Sequence, residues 1–113
     1  MKRKDPGQPV TSGVPDRARN LERLIAAMLA LRSSEELRAF LGDLCTPAEL
    51  EAIADRWRVV PLLMEGIAYR EIHDRTGVSV TTIGRIARCL ELGTGGYRLA
   101  AERVLREPAA SSN

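Results

Sequence analysis

Apolar residues recur at helical spacing along most of the chain. The first repeat places apolar residues at positions i, i+3, i+4, i+7 and i+10: Leu21, Leu24, Ile25, Met28 and Leu31. This spacing predicts a helix over residues 17–31 with a single apolar stripe. A stripe this pure needs a partner surface, either in the same chain or in another chain.

Capping signals predict where the next two helices begin. Ser33 and Glu36 fit a capping box, in which the serine hydroxyl accepts from a free helix N–H and the glutamate reaches back. We expect that second helix to run to about residue 41 and to end at Gly42, with Leu37, Phe40 and Leu41 inward. The Thr-Pro-Ala-Glu sequence at residues 46–49 predicts the start of the third helix, because proline is favoured at the first helical position.

The third helix is predicted to reach residue 64 or 65, with Gly66 as its stop. Its apolar residues again repeat at steps of three and four: Leu50, Ile53, Trp57, Val60 and Met64. This pattern is typical of a seam that packs on another helix. Because Pro61 lacks the N–H that would bond the Trp57 carbonyl, we expect a kink between these two residues.

Residues 68–90 predict two short helices joined by a tight turn at Gly77, which is a helix-turn-helix arrangement. The first of them would cover residues 69–75, and the second would begin after Ser79 and reach about residue 90. Four apolar residues can close a small core between them: Ile72, Val78, Ile83 and Ile86.

A glycine-rich break at residues 92–96 precedes a last helix, predicted over residues 97–106. Its expected inner residues are Tyr97, Leu99, Ala100, Val104 and Leu105. The fold class is therefore all-α with six helices and no strand. We expect a basic flexible tail over residues 1–16, one helical domain over 17–106 and a frayed end over 107–113.

Composition limits the possible functions of the chain. It has 113 residues, enough for one domain, and a formal net charge of +2, too small by itself to indicate a nucleic-acid partner. Cys45 and Cys89 are far apart and fit no metal-ligand spacing, so we expect two reduced, partly buried thiols. With one histidine and no phosphate-binding glycine loop, we expect no enzyme, metal or cofactor. No apolar segment suits a membrane span or a secretory leader, so the expected location is the cytoplasm.

A helical wheel of the second motif helix separates apolar from polar side chains. With Ile83 inward, the same side holds Ile86, Ala87 and Leu90. The other side carries Thr81, Gly84, Arg85 and Arg88, with Thr82 on the flank. Arginine can bridge guanine O6 and N7, and threonine can meet a thymine methyl group or a phosphate, so this side suits a DNA major groove. Ser79 at the helix start could bring free N–H groups to a phosphate, and Arg70 and Arg75 are candidates for further backbone contacts.

Two residues depart from the usual pattern of such motifs. His73 stands where a small residue often packs between the helices, and Thr76 where an apolar residue is common. We expect His73 to be packed or half-exposed rather than a ligand or a pH switch.

The order of these elements resembles the Trp repressor superfamily. The resemblance is carried by LCTPAELEAIADRWRVVPLLMEG at residues 44–66 and by YREIHDRTGVSVTTIGRIARCL at residues 69–90. The closing GTGGYRLAAERV at residues 93–104 is similar to the YerC/YecD group of Trp-repressor-related proteins. The resemblance implies an intertwined homodimer, in which the first, second, third and last helices of two chains interlock. It also implies a transcriptional regulator, expected to be a repressor, that binds double-stranded DNA with one reading head at each end.

The same resemblance raises the question of a corepressor. Trp repressors hold the indole of tryptophan between two arginines, and the matching residues are Arg56 and Arg85. However, Ile86 replaces a glycine of the tryptophan-binding proteins, and Cys89 replaces a serine that helps hold the amino group. A branched side chain would occupy the indole slot and a thiol is a poorer partner for an ammonium, so we expect no tryptophan response.

Other interpretations stay open. Arg56 can equally form a surface ion pair with Glu51 or Asp55, and Arg85 can serve DNA alone. The chain could use an unidentified small-molecule effector at the four candidate pocket residues. It could also be a dimeric helical interaction protein that no longer reads DNA.

Overall fold

The computed structural model describes residues 13–106, with side chains from residue 16 onward. This part of the chain holds six helices and no strand, which confirms the all-α prediction. The helices are α1 (Gly13–Ala30), α2 (Ser34–Leu44), α3 (Pro47–Met64), α4 (Tyr69–Thr76), α5 (Val80–Leu92) and α6 (Gly96–Arg106). Helix α1 begins inside the stretch predicted as a tail, while residues 1–12 and 107–113 lie outside the described residues. The chain divides into two compact units, Met1–Leu44 and Cys45–Asn113.

In the first unit, the apolar stripe of α1 is only partly covered. Leu24 and Leu31 are half-buried, whereas Leu21, Ile25 and Met28 are exposed. The predicted inner residues of α2 are all half-buried: Leu37, Phe40 and Leu41. No residue of α2 is fully buried.

The ends of α2 differ from the prediction. The Ser33 Oγ accepts from the Glu36 N–H at 3.0 Å as expected, but the Glu36 carboxylate accepts from the Arg32 N–H at 2.7 Å, one residue before the cap. The helix also continues through Gly42 to Leu44, so the predicted stop is wrong. Gly42 has no positive φ, and a glycine within a helix costs only about 1 kcal/mol, which neighbouring turns can offset.

The second unit begins with α3, whose predicted capping box is confirmed. The Thr46 Oγ1 accepts from the Glu49 N–H at 3.1 Å, and the Thr46 N–H donates to the Glu49 carboxylate at 2.8 Å. A cap of this kind contributes about 1 kcal/mol. The helix passes through Pro61 and ends before Gly66, which has a left-handed φ of 84°. The kink near Pro61 stays a prediction.

The core of the second unit is built from α3, α4, α5 and α6. Its buried residues are Val59, Val60, Ile72, Val78, Ile83, Ile86 and Ala101. Helix α3 packs on the other three helices, and α4 packs on α5. The predicted core of the motif is therefore confirmed, since Ile72, Val78, Ile83 and Ile86 are all buried.

The predicted inner face of α6 is mostly wrong. Ala101 is its buried residue and Tyr97 is half-buried, which fits residues four apart on one face of a helix. The other predicted inner residues are exposed: Leu99, Ala100, Val104 and Leu105. Only a narrow stripe of α6 packs on this unit, so its remaining apolar side chains face outward.

Candidate nucleic-acid interface

A left-handed glycine joins the two helices of the motif. Gly77 ends α4 with a φ of 79°, and its N–H donates to the His73 carbonyl at 2.8 Å. A side chain with a Cβ adopts this backbone region only at a cost, whereas glycine does so freely. The turn is short enough that Ser79 already caps the next helix.

The Ser79 hydroxyl bonds twice within the first turn of α5. Its oxygen accepts from the Thr82 N–H at 3.1 Å, and its hydroxyl donates to the Thr82 Oγ1 at 3.0 Å. The cap therefore fixes Thr82, which is half-buried, while Ser79 itself stays exposed. A helix begins with N–H groups that lack partners within it, so this end of α5 favours an anion.

The exposed polar side of α5 follows the predicted wheel. Thr81, Arg85 and Arg88 are exposed, and we call these three residues the reading surface. On the opposite side, Ile83 is fully buried and Ile86 is 3% exposed. Because the apolar side of α5 packs in the core of the second unit, the basic and hydroxyl-bearing side remains exposed and accessible to a ligand.

Gly84 lies at the edge of the reading surface and is half-buried rather than fully exposed. A Cβ at this position would lie 4.0 Å from Cε2 of Tyr69, the first residue of α4. That is an ordinary van der Waals distance. The packing of α4 against α5 at this point would therefore also accommodate a residue with a Cβ.

Two arginines of α4 lie in different electrostatic settings. Arg70 is exposed, and so is Arg75, but the Arg75 guanidinium pairs with the Glu71 carboxylate at 2.6 Å, one helical turn away. Both partners are about half exposed, so water and salt screen this pair and its contribution to stability is small. A phosphate would compete with Glu71 for the same guanidinium.

The sequence did not predict that two apolar residues of the motif are exposed. Val80, the first residue of α5, is 49% exposed, and Tyr69 is 42% exposed. On the wheel, Val80 falls about 60° from the buried Ile83, so periodicity alone predicts a buried side chain. Its position at the start of the helix was the available signal, because the first turn of a helix can extend past its neighbours.

The four candidate effector residues do not share one environment. Arg56, Arg85 and Cys89 are exposed, while the Ile86 side chain lies in the core rather than at a surface slot. Arg56 makes no ion pair with Glu51 or Asp55, so that alternative is not observed. Cys89 is also more exposed than expected, whereas Cys45 is half-buried as predicted.

An open cleft of about 460 Å³ lies elsewhere in the second unit. It is lined by residues from the end of α3 to the start of α6, among them Met64, Tyr69, Leu90, Glu91 and Arg98. None of the four candidate effector residues lines it.

The residues that the structure describes hold neither a metal-binding cluster nor a membrane-spanning helix. Within the described residues, no three side chains of His, Cys, Asp or Glu are grouped so that they could hold a metal ion. None of the helices over residues 13–106 combines the length and apolarity that crossing a membrane requires.

The left-handed glycine turn, the capped second helix and its open basic side define a helix-turn-helix protein. The chain belongs to the Trp repressor family, since the family model described as Trp repressor protein matches residues 19–105. This is a family of DNA-binding regulators rather than enzymes.

Relatives in three bacteria support this assignment. YerC of Bacillus subtilis (strain 168), an uncharacterized protein, is 38% identical over 97 residues, covering 86% of this chain and 93% of YerC. The crystal structure of a TrpR-like protein from Eubacterium eligens ATCC 27750 matches with a TM-score of 0.74 at 33% identity, covering 80% of this chain and 93% of that one. A Staphylococcus aureus protein provisionally assigned as a Trp repressor matches with a TM-score of 0.75 at 31% identity, covering 87% and 98%. The resemblance to the Trp repressor superfamily and its YerC/YecD group is therefore confirmed.

Proposed function

We propose that this protein is a homodimeric transcriptional regulator, acting as a repressor, that reads double-stranded DNA with α5. The observation that carries the proposal is the division of α5 into two sides. Ile83 and Ile86 are buried in the unit's own core, so Arg85 and Arg88 face outward from a helix that is firmly held. The Trp repressor family assignment supports DNA as the ligand.

The proposed contacts fall into two kinds. Arg85 and Arg88 would enter the major groove and bridge acceptors on guanine, while Thr81 would contact a thymine methyl group or a phosphate. Arg70, Arg75 and the N-terminal turn of α5 would hold the phosphate backbone, which sets the register of the helix but carries no sequence information. Each phosphate contact should steepen the salt dependence of binding by about one unit of slope.

The homodimer is supported by exposed apolar side chains in each of the two units. Leu21 of α1 is 55% exposed, and Val104 of α6 is 61% exposed. Burial in a second copy would remove such surface from water, which favours association by about 25 cal/mol for each Å². Two reading helices in one dimer would then contact half-sites about one turn of DNA apart.

If folding and association are one event, the melting temperature must rise with protein concentration. Thermal unfolding followed by circular dichroism over a hundredfold range of concentration measures this directly. A melting temperature that stays constant over that range would contradict the dimer.

Selection from a random duplex library tests the proposed function. The full chain is incubated with the library at about 100 mM salt, where nonspecific phosphate binding is weakened, and bound duplexes are sequenced over several rounds. We expect enrichment of one motif with two related half-sites. If no duplex is enriched, the chain is instead a helical interaction protein that has kept the family fold and lost DNA reading.

We further propose that L-tryptophan is not the effector. Cys89 offers a thiol where a hydroxyl would hold the amino group better, and Ile86 belongs to the core. Titration of the protein with L-tryptophan by calorimetry should give no saturable heat. Saturation in the micromolar range would overturn this proposal. The alternative is a repressor that responds to a small molecule other than tryptophan. Since the proposed ligand is DNA, we also propose that the protein acts in the cytoplasm.

A further inference from the structure

The two residues that depart from the usual motif pattern both bond to the turn between α4 and α5. The Thr76 hydroxyl donates to the Ile72 carbonyl at 2.7 Å and accepts from the Val78 N–H at 3.1 Å. The His73 Nδ1 lies 2.8 Å from the Val78 carbonyl oxygen. Because a carbonyl only accepts, the Nδ1 must carry the proton and donate.

Both backbone groups of Val78 are thus held by side chains of α4. Val78 is 9% exposed and belongs to the core, and it directly precedes Ser79, the cap of α5. A buried backbone N–H or carbonyl without a partner is costly, so the alternative positions of this residue are disfavoured. Fixing Val78 fixes where α5 starts.

We propose that Thr76 and His73 are positioning residues that set the orientation of the reading surface by holding Val78. The proposal rests on the proposed DNA-binding function, and it concerns sequence discrimination rather than overall affinity. A reading helix whose start can shift still contacts phosphates, whereas bidentate contacts to base edges require a fixed geometry.

A pair of substitutions at Thr76 separates positioning from packing. Thr76→Val keeps the shape of the side chain and removes both hydrogen bonds, while Thr76→Ser keeps the hydroxyl. With the duplex enriched by the wild-type protein, we expect Thr76→Val to lose about tenfold in affinity. A loss of this size corresponds to the net contribution of about one hydrogen bond. Binding to an unrelated duplex at low salt should change by less than about twofold, because it depends on phosphate contacts.

Thr76→Ser should restore the ratio of specific to nonspecific affinity. All affinities are measured at a temperature where circular dichroism shows each variant fully folded, so a loss of stability alone leaves that ratio unchanged. If Thr76→Val keeps the wild-type ratio, Thr76 is not a positioning residue and the proposal fails for it.

His73 has its own matched pair. In His73→Asn, the side-chain amide N–H can take the place of Nδ1–H, whereas His73→Leu removes the donor. We expect His73→Leu to lose discrimination and His73→Asn to recover most of it. Equal ratios for the two variants would remove His73 from the proposal.

Two further measurements do not depend on DNA binding. In the wild-type protein, ¹⁵N NMR of the imidazole should report the tautomer protonated at Nδ1, and the Val78 amide should exchange faster with solvent in Thr76→Val than in Thr76→Ser. The Nε2-protonated tautomer, or equal exchange in both variants, would contradict the bonds themselves. If instead the wild-type protein enriches no duplex, the DNA-binding function fails while these two readouts still decide whether Val78 is held. Should Thr76→Val not fold, the His73 pair and the tautomer carry the test.

Discussion

Helices α1 and α5 have the same kind of amphipathic sequence but different surroundings. In α5, the apolar side packs in the core of the second unit, where Ile83 is fully buried. In α1, the stripe is largely open, and Leu21 and Ile25 are exposed. Periodicity therefore predicts which side of a helix is apolar but not what covers that side.

The difference assigns separate tasks to the two helices. Because the apolar side of α5 is already covered, its outward side is polar and suits a charged ligand such as DNA. The apolar side of α1 is the one that is uncovered, so its expected ligand is apolar, and we assign it to a second copy of the chain. Substitutions in the two helices should therefore change different measurements.

The largest expected effect is on the stability of the second unit. Ile83→Ala removes a fully buried side chain and should lower the free energy of unfolding by about 2–5 kcal/mol. Val80→Ala, in the same helix but at a 49% exposed position, should change it by less than about 0.5 kcal/mol. Denaturant unfolding of both variants measures this, and equal losses would mean that the core is not where we place it.

A smaller effect is expected from the stripe of α1, and it should appear in association. The double substitution Leu21→Ala and Ile25→Ala should raise the dimer dissociation constant by at least about tenfold, because two copies each lose buried apolar surface. Arg23→Ala is the control, since Arg23 is exposed and lies two residues from both Leu21 and Ile25, on the opposite side of α1. Sedimentation equilibrium gives the constants, and a control that weakens the dimer as much as the double variant would show that the stripe is not the interface.

The smallest expected effect concerns the ion pair beside the reading surface. Glu71→Gln frees the Arg75 guanidinium and removes a nearby negative charge, so the affinity for DNA should rise by about two- to fivefold at low salt. Glu35→Gln makes the same change of charge in α2, outside the helix-turn-helix sequence, and should have less effect. Fluorescence anisotropy with a labelled duplex compares them, and no gain for Glu71→Gln would mean that Arg75 does not contact phosphate.

Local signals in the sequence were sufficient for the starts of α3 and α5 and for the turn before α5. The capping box at Thr46 and the left-handed Gly77 depend on residues within a few positions of one another, so the pattern alone predicted them. The helical wheel also predicted the buried side of α5. Two of the residues that share the core with this side, Ile72 and Val78, come from the adjacent helix and turn, so they are close in the sequence.

The sequence did not predict the features that depend on packing between helices. The predicted inner face of α6 was wrong because several of its apolar residues could have faced the core. Ala101 and Tyr97 pack there, while Leu99 and Val104 stay exposed. The role of Thr76 was also hidden, since its bond to the Val78 N–H exists only once the turn has formed. At Gly42, a general rule for helix ends failed because the helix tolerates the glycine.

We propose above that the outward side of α5 reads DNA sequence. The most direct measurement is the affinity for the enriched duplex of the double variant Arg85→Ala and Arg88→Ala, compared with Arg103→Ala and Arg106→Ala on α6. Both variants lose two exposed arginines, so the change in net charge is the same. We predict a loss of about a hundredfold or more for the α5 variant, from two lost base contacts, and less than about threefold for the α6 variant. Equal losses for the two variants, with both proteins folded, would contradict the account, because DNA would then be held by overall charge rather than by the reading surface.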